Sequence, residues 1–274
     1  MDDKSEKRVG ILGAGWLGFA LTQRLLLDGV QVHAASTSLD KREEVRSATN
    51  ARCFVVDLPE IVPKSFFVGL THLVITIPPG GRKLGAAATE IYSDRLSALF
   101  PILQDHEDLK IIFCSSTGVY GSTLGSVNEE TPVNPDTHSG RAVVAAEALL
   151  EVRIDQLTIL RFGGLFGPGR HPGHFFGGKN FPLAQADAPV NLISQADAVS
   201  AIIHVINEPR ARGVYNVCAA AHPSKGAFYG AAAGAVGLGI AAILPGGKDG
   251  KLVDSSKLRT LGWAPKNDNL SLDI

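Results

Sequence analysis

Gly13, Gly15 and Gly18 stand in the run VGILGAGWLG, straight after an apolar segment and at the start of a helical pattern. That spacing suits the pyrophosphate of a dinucleotide. The first glycine permits a tight turn, the second lets the backbone approach the phosphates, and the third lets helix and strand pack closely. A helix opening at Trp16 and Leu17 turns its N-terminal N–H groups and positive dipole end toward the anion. Further on, where an acidic residue would accept the ribose 2′-OH of NAD, the chain reads Ser36-Thr37-Ser38, with Lys41 and Arg42 following. Hydroxyls and cations suit a 2′-phosphate, so NADP is favoured, while Asp40 keeps NAD open. Asp57-Leu58 follows a third apolar run, and the aspartate there either contacts the adenine amine or caps a turn at the strand's end. Pro78 and Pro79, in Ile77-Pro78-Pro79-Gly80-Gly81, form a rigid turn at the carboxyl edge of a sheet, where ligands of open α/β sheets bind.

A second group of reactive side chains lies in CSSTGVYG, residues 114–121. Ser115, Ser116 and Thr117 supply hydroxyls and Tyr120 a phenol. His138 adds an imidazole, a group that exchanges protons near neutral pH. Arg170, His171 and His174 sit in a loop whose residues 163–178 hold seven glycines, and they suit an anionic substrate such as a phosphate or carboxylate. No metal site is expected: Cys53, Cys114 and Cys218 lie in apolar runs without CxxC spacing and read as reduced thiols, which suits the cytoplasm.

The elements that position these groups are legible as apolar runs of strand length at 8–12, 30–35, 52–56, 72–77, 109–114 and 157–161. Helical patterns alternate with them. Leu17, Ala20, Leu21 and Leu25 recur at helical spacing, as do Tyr92, Leu96, Leu99 and Leu103, and then Val199, Ile202, Ile203 and Ile206. Ser194 and Asp197 precede the last stripe at capping-box spacing. The alternation specifies an α/β fold, a Rossmann-like doubly wound parallel sheet covered by helices. Residues 226–247 carry no charge and place Gly226, Gly230 and Gly234 in a repeated GxxxG. Their Ala/Gly composition favours a helix packed closely through small residues over a membrane span.

Charge narrows the partners. Lys and Arg total 26 against 27 Asp and Glu, a net charge of −1, which removes the basic field that general nucleic-acid binding needs. With 45% hydrophobic and 19% charged residues, the 274-residue chain is not a disordered one. Residues 1–8 are mostly charged and show no apolar leader. A small molecule is the expected partner, with no nucleic acid and no membrane, and a homodimer is left open.

The succession GxGxxG, IPPGG, SSTGVYG, NEETPVNP, Glu147, ILRFGGLFGPGR, NLISQAD and GVYNV resembles the extended short-chain dehydrogenases/reductases over about residues 9–262. It is most similar to their atypical branch of NAD-dependent epimerase/dehydratase-like (YeeZ-type) proteins. The resemblance implies an NAD(P)-binding domain over 1–162, to which 190–213 return, and a small C-terminal substrate lobe from 163–189 and 214–274. It implies that Ser116 holds the substrate carbonyl or hydroxyl, with Ser115, Thr117 and Arg170 beside the substrate. It also implies a YxxxK pair on the next helix, in which the lysine lowers the phenol pKa and binds the nicotinamide ribose. Here that pair falls on Ser139 and Val143: both functional side chains are replaced.

Three readings follow from that replacement. His138 or Tyr120 takes over the proton; or the chain binds NAD(P) without turnover, as a sensor or interaction protein; or its chemistry needs no phenol. The leading expectation is an NAD(P)-binding oxidoreductase-like protein of the epimerase/dehydratase type, acting on an unidentified small substrate, sugar-nucleotide or otherwise anionic. The alternative is a non-catalytic NAD(P)-sensing regulatory protein on the same fold.

Overall fold

A run of consecutive apolar residues makes a strand that is buried on both faces, and such strands belong to parallel sheets covered by helices. The computed structural model describes residues 7–272 and shows that arrangement. The charged start at residues 1–6, on which most of the leader reading rests, lies outside the described residues. Strands β1 (Arg8–Leu12), β2 (Gln31–Ser36), β3 (Arg52–Val55), β4 (His72–Ile75), β5 (Lys110–Ser116), β7 (Leu157–Phe162) and β10 (Gly213–Val217) form a seven-stranded parallel sheet in the order β10-β7-β5-β4-β1-β2-β3. Every residue of β4 and β7 is buried. The order reverses at β1, whose Val9 pairs with Val32 of β2 on one side and His72 of β4 on the other. That switch point opens a crevice at the carboxyl ends of the strands.

The chain divides into two compact units. The first comprises residues 7–115, 135–160 and 202–214 among those described. Its helix α1 (Trp16–Leu27) turns Leu17, Leu21 and Leu25 inward. Helix α2 (Leu39–Thr49) is capped by Ser38, whose hydroxyl accepts from Lys41 N. A short helix α3 (Gly81–Leu84) follows β4. In α4 (Ala88–Ser97) the stripe buries Tyr92 and Leu96 and continues to Leu99, after which Pro101 sits at the start of α5 (Phe100–Leu103). Helix α6 (His138–Arg153) is capped by Thr137, whose hydroxyl accepts from Gly140 N.

The second unit, residues 116–134, 161–201 and 215–272 of those described, is built on two short parallel pairs. Strand β6 (Gly125–Val127) pairs with β11 (Lys251–Val253), and β8 (Gly164–Phe166) with β9 (Leu192–Ser194). Phe166, Leu183, Leu192, Phe228, Tyr229 and Leu270 form its core. Helix α8 (Gln195–Asn207) starts with the expected capping box: Ser194 Oγ donates to Asp197 Oδ2 at 2.7 Å, and Asp197 N donates back at 3.1 Å. Asp197 also accepts from Lys266 N and Asn267 N, tying the chain's end to this cap.

The uncharged segment departs from its expectation. Helix α9 covers only Lys225–Ala235, and a Cβ on Gly230 or Gly234 would meet nothing within 4 Å. Those two glycines line no close packing seam. The close approach comes instead from α7 (Gly173–Phe176), where a Cβ on Gly173 would run into the Ala232 carbonyl and one on Gly177 would lie 3.1 Å from Ala233 Cβ. Part of the glycine excess in 163–178 is thus a helix-packing requirement. Among the described residues no helix is long and apolar enough to cross a membrane.

Candidate functional site

The glycine turn is held from below by β4. Gly13 has φ +106°, a conformation that only glycine adopts freely, and a Cβ there would lie 2.9 Å from Ile77 Cγ2. Thr76 Oγ1 donates to Gly13 O at 2.6 Å, and Ala14 N donates to Ala35 O at 2.7 Å, so the turn is tied to both neighbouring strands. A Cβ on Gly18 would collide with Gly13 O, which is why α1 can start so close to β1. Gly15 differs: it is exposed, with nothing within 4 Å of a built Cβ. It caps a twelve-residue helix with no side-chain hydrogen bond, leaving the α1 N-terminus open to an anion. Trp16 is half-buried and Leu17 buried at this opening.

Beside the turn lies a cavity of about 330 Å³, of a size that small-molecule sites occupy. Its walls are largely apolar: Ala35, Val56, Leu58 and Ile77 present flat hydrocarbon of the kind that accepts a purine. Ser36, Thr37, Asp57 and Pro78 also line it. Asp57 is half-buried, and its carboxylate has no partner among the described residues, so it is free to accept from an adenine amine. Pro79 is half-buried in the same turn but does not line the cavity. Tyr92, fully buried, donates from its hydroxyl to Ile77 O at 2.8 Å and steadies that turn; burial raises its pKa. Lys83 and Arg95 also line the cavity, two cations that sequence reasoning missed.

The groups expected around the 2′-phosphate are arranged less simply. The Ser38 hydroxyl caps α2, and Lys41 pairs with Glu44 at 3.0 Å. Neither Ser38 nor Arg42 lines the cavity, although Arg42 Nε is buried with no partner among the described residues.

This construction fits a dinucleotide: an uncapped helix, a turn without side chains, and an adenosine-sized apolar cavity with one free carboxylate. The profile of the NAD dependent epimerase/dehydratase family matches residues 9–218. The chain belongs to that family. It is similar to Protein YeeZ of Escherichia coli K12, 37% identical over 260 residues that cover 92% of this chain and 93% of that one. Solved structures share the family fold. A functionally unknown conserved protein from Silicibacter pomeroyi matches with TM-score 0.78 at 23% identity, covering 97% of each chain. UDP-glucuronic acid 4-epimerase from Bacillus cereus, solved with NAD, matches with TM-score 0.78 at 18% identity, covering 97% of this chain and 94% of that one.

The resemblance puts the tyrosine–lysine pair at Ser139 and Val143, in the first turns of α6. The face of α6 that begins at Ser139 is covered by α3. A Cβ on Gly81 would collide with Ser139 N and Oγ and lie 2.8 Å from its Cα. Val143 is buried one turn further along. His138 is exposed at the first position of α6, with Nδ1 3.2 Å from Arg141 Nη2. Ser115 is buried and its hydroxyl donates to Glu147 Oε1, a carboxylate buried on α6.

In the second unit, Ser116 is half-buried and accepts from Gly118 N at 3.0 Å, while its own proton goes to nothing among the described residues. Thr117 is buried, with its carbonyl accepting from Lys251 Nζ at 2.9 Å. Tyr120 is fully buried: its hydroxyl donates to Asn216 Oδ1 and accepts from Arg161 Nη1, both at 2.9 Å. Burial raises the Tyr120 pKa, and the hydrogen bond from Arg161 opposes that rise. Arg170 is exposed in a tight turn closed by its backbone with Gly167. His171 Nδ1 accepts from Gly173 N at 3.1 Å, and the His171 and His174 rings lie 6.1 Å apart.

Proposed function

We propose that this protein binds a nicotinamide dinucleotide, NADP in preference to NAD, and uses it on a small anionic substrate without a tyrosine–lysine proton relay. The preference is carried by the end of β2: the cavity wall holds the hydroxyls of Ser36 and Thr37 where an acidic side chain would repel a 2′-phosphate. When bound, the nicotinamide supplies hydride exchange with a substrate carbon. The chain's own residues orient and neutralise. The pyrophosphate rests on the open N-terminus of α1, and Asp57 accepts from the adenine amine.

Ser116 is the hydroxyl we assign to the substrate oxygen, because Gly118 N holds its lone pair and leaves its proton available. Exposed Arg170 is assigned to substrate anion, of the sugar-nucleotide class that the Bacillus cereus epimerase is named for. Ser115 and Tyr120 are assigned to holding this segment in place, since their side-chain polar atoms are taken up inside the protein; Thr117, of which Lys251 engages the carbonyl, keeps its hydroxyl for the substrate. His138, exposed at the start of α6, is the one imidazole beside the altered motif and receives the proton-transfer role.

The contact between Gly81 and Ser139 favours a second reading, in which the protein senses the dinucleotide without turning it over. Trp16 beside the pyrophosphate supplies the first test, through fluorescence titration with NADPH and NADH. Tighter NADPH binding supports the cofactor preference; tighter NADH binding overturns it. Absorbance of reduced nicotinamide, followed with nucleotide sugars and small carbonyl compounds, separates the two readings. Binding without turnover of any of them selects the sensor.

A further inference from the structure

Hydroxyls alone make a weak phosphate site, and the phosphate of NADP calls for cations. The two cations in the first turn of α2, Lys41 and Arg42, are poorly placed for it. Lys41 is engaged with Glu44, and Arg42 does not line the adenosine cavity. The cations that do line it come from the two helices that follow β4 and flank residues 85–87. Lys83 lies on α3, exposed, three residues past the left-handed Gly80. Arg95 lies half-buried on α4, one turn after Tyr92. Neither side chain has a hydrogen bond or ion pair among the described residues. Glu60 and Asp94 line a neighbouring cavity with Arg95, yet neither is ion-paired with it.

We infer that Lys83 and Arg95 bind the 2′-phosphate of NADP and set the cofactor preference. The inference rests on the NADP reading above and names the residues responsible. Two unpaired cations and the one carboxylate of Asp57 leave the cavity with a net positive charge, which calls for an anion there. The pyrophosphate is received at the N-terminus of α1, where Gly15, Trp16 and Leu17 do not line this cavity; the cavity meets the glycine turn only at Gly13. What the cavity takes is the adenosine end, and on adenosine the available anion is a 2′-phosphate. Ser36 and Thr37 share the cavity and complete the set of donors. The positioning is built into the turn: Gly81 seats on Ser139 and Tyr92 holds Ile77, which ties α3 and α4 to the elements beside the cavity.

The test uses the full chain and two probes that lack a pyrophosphate, 2′,5′-ADP and 5′-AMP, alongside NADPH and NADH, all titrated calorimetrically. Lys83→Ala, Arg95→Ala and Arg42→Ala are compared with the parent protein, and a melting curve for each confirms folding. Lys83→Ala and Arg95→Ala should each weaken 2′,5′-ADP and NADPH by roughly tenfold or more, with NADH and 5′-AMP within about twofold. Lys83→Arg should keep the parent preference. The inference is overturned if the parent favours NADPH but only Arg42→Ala loses it, or if the Lys83 and Arg95 variants weaken NADH as much as NADPH. A parent protein that favours NADH overturns the NADP reading itself, and the inference with it.

Discussion

Gly81 is seated against Ser139 so closely that a single methyl group on the glycine would overlap the serine's backbone nitrogen and hydroxyl. The relationship places the turn after β4 in the space that a bulky side chain at position 139 would need. Ser139 therefore belongs to a packed interface between α3 and α6.

Restoring the motif should fail for that reason. Ser139→Tyr combined with Val143→Lys inserts a ring against Gly81 and a cation at a buried position. Overpacking alone costs about 1–3 kcal/mol. The double variant should unfold at clearly lower denaturant than the parent and show no new nicotinamide oxidation. A stable double variant with gained turnover would refute the packed-interface account.

Tyr120→Phe separates a structural phenol from a catalytic one. It removes the partner shared by Arg161 and Asn216 inside the second unit, which should cost about 1–3 kcal/mol. Dinucleotide affinity should stay within about twofold. If stability is unchanged and any turnover is lost, Tyr120 handles the proton.

Ser115→Ala leaves the buried Glu147 carboxylate short of one donor. The expected loss is again about 1–3 kcal/mol, and Ser115→Thr should recover part of it. Urea titration of the three proteins measures this. Equal midpoints would show that the hydroxyl does not support Glu147.

His72 should give the protein an acid-sensitive slope. It starts β4, buried, with Nδ1 2.9 Å from Thr71 Oγ1. Nε2 has no partner among the described residues. Burial, with help from Lys110 and Lys7, pulls its pKa from 6.5 to about 4. The folded state thus resists a proton that the unfolded chain takes up. Stability from this group is complete above pH 6.5 and is lost as pH falls to about 4, about 3 kcal/mol in all. His72→Asn should flatten the pH dependence of unfolding free energy over that window. A slope unchanged by the substitution would assign the acid sensitivity elsewhere.

The centre of the sheet was legible because strands such as β4 and β7 are buried on both faces and read as continuous apolar runs; of the six expected runs, β1 falls at the expected residues and β2, β3, β4, β5 and β7 shift by one or two at their ends. The glycine turn was legible because its residues are adjacent in sequence. Lys83 and Arg95 were not, because they reach the cavity from two different helices and only the fold brings them to one wall. The short pairs β6–β11 and β8–β9 were invisible for a related reason: three-residue strands carry no periodicity, and each is stabilised by a partner far along the chain. GxxxG in α9 misled because the spacing permits close packing but does not create a partner, and Gly230 and Gly234 have none.

The central claim, that the open N-terminus of α1 is a pyrophosphate site, is tested most directly by Gly15→Asp. Position 15 has a negative φ and empty space around its Cβ, so the fold should accept the side chain. An aspartate there caps α1 and places its own carboxylate where the pyrophosphate would sit. Calorimetric titration with NADPH should show a loss of roughly hundredfold or more, with the melting temperature equal to or above that of the parent. NADPH binding within about threefold of the parent in a folded Gly15→Asp protein would contradict the account.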